Sequence, residues 1–322
     1  KGITSGQEVI DGTTGMDDMP GSKSAFNIQS ILSNVNYAYD NKYMLQVSYR
    51  LDGSSKFGKN NQYGNFYTVS GGWNFSREKF FEPLTSIVKD AKLRLSYGVV
   101  GNTPDDNYNH LSLYTSDMYN ELPANFPDQL GNDDLSWEKT KTFDIGLDIN
   151  LVDRIRFSID YYNKNTSDLL YYVKLSTISG YGGQWQNIGA VVNKGVDFSF
   201  DANLFHNNDW DWSLGFNLGH NKNRIKELYG GRPQLTGIRR FEEGRDMDDI
   251  YLAEWAGVDP ETGAPQWYKT DENGKRVLTN SYTEAQASRV YMGSAAPKVN
   301  GGFNTSLTWK NLTLNANFVY SI

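Results

Sequence analysis

The sequence predicts an all-β protein: an antiparallel meander that forms an arc of a large transmembrane β-barrel. Three observations carry that prediction. Apolar and polar residues alternate with a period of two in segment after segment, connections alternate between short and long, and Tyr and Trp gather beside the short ones. A strand in a membrane barrel turns one face to lipid and the other to the lumen, so alternation rather than a continuous apolar run is its mark.

The alternation is clearest where Tyr43, Leu45, Val47, Tyr49 and Leu51 stand against Gln46, Ser48, Arg50 and Asp52. It recurs as Leu93, Leu95, Tyr97 and Val99 against Lys92, Arg94 and Ser96, and as Phe143, Ile145, Leu147, Ile149 and Leu151 against Asp144, Asp148 and Asn150. Ile155, Phe157, Ile159 and Tyr161 face away from Arg156, Ser158 and Asp160; Val196, Phe198 and Phe200 face away from Asp197, Ser199 and Asp201. Trp212, Leu214, Phe216 and Leu218 form the next stripe, and Leu312, Leu314, Ala316, Phe318 and Tyr320 the last. The pattern gives about ten strands, near 28–39, 43–52, 64–76, 91–100, 138–151, 155–164, 188–204, 210–221, 298–309 and 312–321.

Tight turns fall at 40–42, 152–154, 206–209 and 310–311, and a longer link at 77–90, where Phe80 and Phe81 suit an interface. The intervening connections 53–63, 101–137, 165–187 and 222–297 are all long. Short turns on one rim and long extracellular loops on the other is the plan of outer-membrane barrels, and a soluble sandwich has no reason to keep that parity. Tyr39, Tyr43, Trp73, Trp210, Trp212 and Trp309 sit beside the short turns, where an interfacial aromatic girdle belongs. Leu45, Val47, Phe157, Ile159, Phe198, Phe200, Leu214 and Phe216 are expected to face lipid.

The opposite face carries Arg50, Arg94, Asp144, Asp148, Arg156, Asp160, Asp197 and Asp201. Burying so many charges without water or partners is costly. A barrel of about eight strands is just filled by its own side chains, so these residues point to a wide, wet or plugged lumen and to an arc that does not close on itself.

Composition narrows the rest. The chain has 322 residues, 14% of them aromatic, with 31 Gly and no Cys. No run of about 18 apolar residues is present, which excludes a transmembrane helix. Disulfides and thiolate metal sites are excluded with cysteine. The net charge of −7 counts against a general nucleic-acid binder. His110, His206 and His220 lack metal-ligand spacing, and neither a nucleophile elbow nor a phosphate loop occurs. Gly180-Tyr181-Gly182-Gly183 suits a loop, and Asp271-Glu272-Asn273-Gly274-Lys275 suits a hairpin turn better than a calcium loop. No catalytic residue, metal or cofactor is expected, since repeated Asp on an inner face needs no enzymatic explanation.

Several stretches resemble one family in order along the chain. They are Arg50-Leu51-Asp52-Gly53-Ser54-Ser55-Lys56-Phe57-Gly58, then Gly72-Trp73-Asn74-Phe75-Ser76 with Glu78-Lys79-Phe80-Phe81. Leu93-Arg94-Leu95-Ser96-Tyr97-Gly98 with Gly101-Asn102 follows, then Leu135-Ser136-Trp137-Glu138. Gln186-Asn187-Ile188-Gly189 comes next with Asn193-Lys194-Gly195-Val196, where Asp197 replaces the family's Glu. Gly257-Val258-Asp259-Pro260-Glu261-Thr262-Gly263 and Gly293-Ser294-Ala295-Ala296-Pro297-Lys298 complete the set. From about Asn34 to Ile322 the chain resembles the SusC/RagA family of TonB-dependent outer-membrane transporters of Bacteroidetes-type bacteria.

That resemblance implies a barrel of about 22 strands with a plugged lumen. It implies that 1–322 is the C-terminal portion of the barrel, with a plug domain, a TonB-contacting segment and the first strands ahead of Lys1, and terminal strands beyond Ile322. It implies active import of oligosaccharides or peptides across the bacterial outer membrane, coupled to TonB and assisted by a surface lipoprotein of the SusD or RagB type. A passive porin or a surface adhesin barrel is the alternative. The long loops, above all 222–297, are expected to carry substrate and partner contacts through Tyr181, Trp185, Tyr251, Trp255, Trp267 and Tyr268.

Overall fold

The computed structural model describes residues 23–120 and 122–322. Nearly all of the regular structure is β. In chain order, β1 (Ile28–Tyr39), β2 (Tyr43–Ser54), β3 (Tyr63–Asn74) and β4 (Val88–Asn102) come first, followed by β5 (Leu113–Tyr119) and β6 (Leu122–Leu130). β7 (Glu138–Leu151) and β8 (Ile155–Ser167) lead to β9 (Leu170–Lys174) and β10 (Gly183–Asn187). β11 (Ala190–His206) and β12 (Trp210–Glu227) precede a run of short pieces: β13 (Gln234–Thr236), β14 (Arg239–Phe241), β15 (Asp249–Leu252), β16 (Trp255–Val258), β17 (Pro265–Thr270) and β18 (Arg276–Thr279). The short helix α1 (Tyr282–Gln286), β19 (Val290–Ser294), β20 (Asn300–Trp309) and β21 (Leu312–Ser321) end the chain.

A 10-stranded sheet takes the order β1-β2-β3-β4-β7-β8-β11-β12-β20-β21. Those are the ten strands that alternation predicts. β1 and β21 stand at opposite ends of the order, so the sheet is open, as expected for an arc. The register follows from turn chemistry. Lys42 N–H bonds the Tyr39 carbonyl across Asp40 and Asn41, both at φ 50°, and Tyr39 pairs with Tyr43 across the three-residue turn 40–42. The turn between β7 and β8 repeats this with Val152 at φ 45° and Asp153 at φ 58°, an uncommon conformation for a β-branched residue.

Three expectations need correction. Phe75 and Ser76 do not continue β3. The Asn74 N–H bonds the Lys42 carbonyl, the Ser76 hydroxyl turns back to Asn74, and the chain coils into short 3-10 turns at Phe75–Arg77 and Lys79–Leu84. Val99 does not share the outer face of Leu95 and Tyr97. A Cβ on Gly98 would meet Thr68, yet Val99 packs beside Phe66, and both partners lie on the polar face of β3. Two successive residues on one face shift the parity, as a bulge does, and Val100 becomes the exposed residue. The connections 101–137 and 165–187 are also not plain loops, since they supply the four-stranded sheet β5-β6-β10-β9; 222–297, too long for a plain loop, supplies β13-β14-β15-β19 and β16-β17-β18 and so has the hairpins its length predicts.

The chain divides into two compact units. The first takes in the described residues up to Arg77 together with Leu93–Asp144 and Lys164–Ala190. Its core is small and aromatic: Phe57, Phe66, Val99 and Trp137, with Phe57 and Trp137 ring centroids 4.5 Å apart and Phe66 and Trp137 5.3 Å apart. The second takes in Glu78–Lys92, Ile145–Asn163 and Val191–Ile322.

Elsewhere the large sheet hides little. Leu45, Val47 and Ile159 are exposed, while Phe157, Phe198, Phe200, Leu214 and Phe216 are half-buried because aromatic neighbours stack along the same face. Phe198 lies 6.2 Å from Phe216, and Phe216 lies 6.2 Å from Tyr320. An apolar, open face of this extent marks a surface made for a nonaqueous neighbour.

Candidate functional site

The aromatic residues beside the short turns form pairs. Tyr39 stacks near Tyr43, which is opposite Trp73 across β2 and β3. Trp210 is opposite Trp309 with ring centroids 5.7 Å apart, and the Lys310 ammonium lies over Trp309. Trp212 donates its indole N–H to the Thr305 hydroxyl at 3.0 Å. All six rings stay exposed, with one polar edge each, as suits the boundary between hydrocarbon and water. Of the predicted Phe pair, Phe81 is buried and Phe80 is open.

The other face is polar and internally braced. Arg50 pairs with Asp52 at 2.6 Å. The Ser158 hydroxyl bonds Asp148 at 2.7 Å and Asp160 at 3.1 Å. Asp148, Arg156 and Asp201 also line a cavity of about 300 Å³ with Asp90 and Asn150. Arg94 and Asp144 are half-buried, whereas Arg156, Asp197 and Asp201 are exposed.

Around the aromatic core of the first unit, the residues that carry the family resemblance work as fasteners. Lys56 is buried and donates to the carbonyls of Pro104 and Asp105. Trp137 donates to the Gln62 carbonyl. Glu138 accepts from Asn102 and from the Leu170 N–H. Asn187 donates to the carbonyls of Ser136 and Asp168 and accepts from the Ser136 N–H. The Cβ of any larger residue at Gly58 would lie 2.1 Å from the Asp133 carbonyl oxygen, and at Gly101 it would strike Phe66. These groups hold segments far apart in sequence by satisfying their backbone polar atoms.

On the sheet β5-β6-β10-β9, Trp185 meets Tyr172 edge-on at 5.5 Å, and its carbonyl accepts from Asn132. Tyr181 leads into β10 behind Gly180, which takes φ 76°, and a hydrogen bond with Tyr114 pushes its phenol above the ordinary tyrosine range. Both predicted residues are half-buried.

In the second unit, the loop strands fold around rings and guanidinium groups. Tyr251 lies 4.9 Å from Tyr291 and takes a hydrogen bond from Arg240. Arg245 stacks over Tyr291 at 3.5 Å. Burial, followed by the hydrogen bond that its hydroxyl donates to Glu242, pushes Tyr291 up to about 12. Tyr268 is covered by Arg276 at 3.6 Å, and Arg276 pairs with Glu254 at 2.6 Å. Trp267 is set between Trp255 at 5.5 Å and Tyr282 at 5.4 Å. Of the six predicted loop aromatics, Trp255 alone is more exposed than buried, at 53%.

Two turns hold this arrangement. Asp259 accepts from the N–H groups of Glu261 and Thr262, which keep its carboxyl below the usual range. Asp271 caps the turn at Asn273-Gly274, where Gly274 takes φ 75°. The hairpin expected at Asn273-Gly274 therefore joins β17 to β18. Lys269 holds Glu284 low by a hydrogen bond. His206 pairs with Asp211, and no cluster of three or more metal-ligating side chains occurs among the described residues. Arg240, Arg245 and Tyr291 were missed by sequence reasoning, because nothing local marks which distant arginine covers which ring; Arg276 was missed although it lies diagonally across the β17–β18 hairpin from Tyr268.

The family described as TonB dependent receptor-like, beta-barrel, matches residues 6–321. The chain belongs to that family. The TonB-dependent receptor P3 of Formosa agariphila is 34% identical, over 91% of this chain and 31% of its own length. The TonB-dependent receptor SusC of Bacteroides thetaiotaomicron is also 34% identical, over 90% and 31%. The solved RagAB peptide transporter matches with a TM-score of 0.82 and 33% identity, over 92% of this chain and 33% of that one. This TonB-dependent receptor barrel thus spans about a third of the relatives it matches, and its place is the bacterial outer membrane. The match accounts for the exposed apolar face of the large sheet, the aromatic pairs at its short-turn end and the charged opposite face.

Proposed function

We propose that the chain forms the C-terminal barrel portion of an importer that takes up oligosaccharides or peptides, is driven through TonB and works with a surface lipoprotein of the SusD or RagB kind. In this reading a plug domain and the first barrel strands precede Lys1. Arg50, Arg94, Asp144, Asp148, Arg156, Asp160, Asp197 and Asp201 line the lumen, and the protein performs no catalysis. The supporting observation is that a family-matched strand framework carries folded, aromatic-rich loop sheets instead of bare connections. Likeness to a peptide transporter favours peptides as cargo, and exposed rings suit sugars equally.

Trp255 is the principal contact residue in this reading. Trp267 packs against it and Tyr251 and Tyr268 belong to the same loop, while Tyr181 and Trp185 offer contacts of their own on β10 and the turn before it. The test is deletion of 262–290 in the full-length transporter. Barrel assembly should survive, while capture of the lipoprotein or uptake falls severalfold. Unchanged capture and uptake would refute the loop assignment. Uptake that persists without TonB would instead point to a passive porin.

A further inference from the structure

β11 and β12 carry basic residues beyond their apolar stretch. Lys194, Lys222, Arg224 and Lys226 are all exposed, and together with Val192, Ile225 and Gly244 they line a cavity of about 590 Å³. None of the four forms an ion pair with any described carboxylate. Their facing is set by their neighbours. Asn221 and Asn223 both donate to Asn193, and Tyr162 donates to Asn221, so those residues share the polar face. The residues between them, Lys222 and Arg224, take the opposite face, in line with Leu214, Phe216 and Leu218. Lys194 likewise continues the stripe of Val196, Phe198 and Phe200.

Height along the strand is the second argument. Trp210 belongs to the aromatic girdle at the short-turn end. Twelve residues separate it from Lys222. At about 3.3 Å per residue and a tilt of about 40°, Lys222 stands about 30 Å above Trp210, just past an apolar band about 25 Å tall. Arg224 and Lys226 rise further. Lys222 and Arg224 also line a neighbouring cavity with Glu242, Glu243, Asp246 and Asp249, none of them within ion-pair distance of either, so at that height on the outer side of the wall the cations are open to an anionic headgroup.

We propose that Lys194, Lys222, Arg224 and Lys226 form a binding site for the phosphate-bearing headgroup of an outer-leaflet lipid, which docks against the outer surface of β11 and β12. Arg supplies forked hydrogen bonds to phosphate oxygens, and the three Lys add point charges. The proposal rests on the membrane-spanning reading but not on TonB coupling or cargo, so its test does not measure uptake.

The experiment titrates the full-length transporter in detergent with bisphosphorylated lipid A, with the dephosphorylated lipid, and with inorganic phosphate as competitor. Binding should weaken about tenfold or more when the lipid loses its phosphates, and by a similar factor in K194Q/K222Q/R224Q/K226Q. A large excess of inorganic phosphate should leave the lipid bound. Equal affinity for the dephosphorylated lipid overturns the proposal, since acyl chains alone would then hold it. Unchanged binding in the fourfold variant overturns it too, and displacement by inorganic phosphate reassigns the patch to a soluble anion. If the variant fails to assemble, the comparison of phosphorylated and dephosphorylated lipid on the unmodified protein decides.

Discussion

The loops of the first unit and the 222–297 loop of the second solve one problem in opposite ways. Each must hold short strands that are too small to be stable alone. In the first, buried aromatics and side chains from segments far apart in sequence pin the loop backbone: Phe57, Trp137, Lys56, Asn187. In the second, the loop packs on itself, with Arg245 on Tyr291, Arg276 on Tyr268, and Trp267 between Trp255 and Tyr282. A region fastened through a shared core loses its order as a whole when that core is cut. A region built from pairs loses them one at a time. Recognition that needs local variation is better placed on the second design.

The largest expected effect tests the shared core. Phe57 is fully buried, so Phe57→Ala should cost about 3–5 kcal/mol. It should expose 101–137 to protease in the detergent-folded barrel while leaving 222–297 protected. Simultaneous cleavage of both loops would mean they are not independent. Asn187→Ala should cost about 1–3 kcal/mol, because it strands the backbone groups of Ser136 and Asp168. Chemical unfolding should show a lower midpoint, and an unchanged midpoint would remove Asn187 from the fastening role.

In the second region the effects are smaller and local. Arg276→Ala removes the cation over Tyr268 and should cost about 0.5–1 kcal/mol. Hydrogen exchange should quicken in β17 and β18 alone. The smallest effect concerns Asp259, whose carboxyl is held low by two backbone N–H groups. A depressed folded value means its contribution is present above the ordinary Asp range near 3.9 and is lost as pH falls through the folded value. Protection of the Glu261 and Thr262 amides, corrected for intrinsic exchange, should therefore drop as pH is lowered from about 5 to about 3, and D259A should abolish that pH dependence. Equal protection across the range would show that the turn does not depend on the charge.

The ten strands of the large sheet were legible because their cause is local. Alternation with a period of two sets which face each residue takes, and Asp, Asn or Lys at the turns sets where the chain reverses. The resemblance motifs were equally legible, but what they do was not. Lys56, Trp137 and Asn187 have no visible role until their distant partners are in place.

What the sequence alone determined was the strand framework, its apolar and polar faces, and the placement of the exposed rings of Tyr39, Tyr43, Trp73, Trp210, Trp212 and Trp309 beside the short turns. What only the tertiary structure decided was the slip of parity at Val99, the small loop sheets, and which loop aromatics stay open. The pull of Phe66 and Trp137 inverts Val99, and Arg245 closes over Tyr291 from a position with no periodic relation to it. Contacts of that kind depend on through-space packing between segments, which no local pattern encodes.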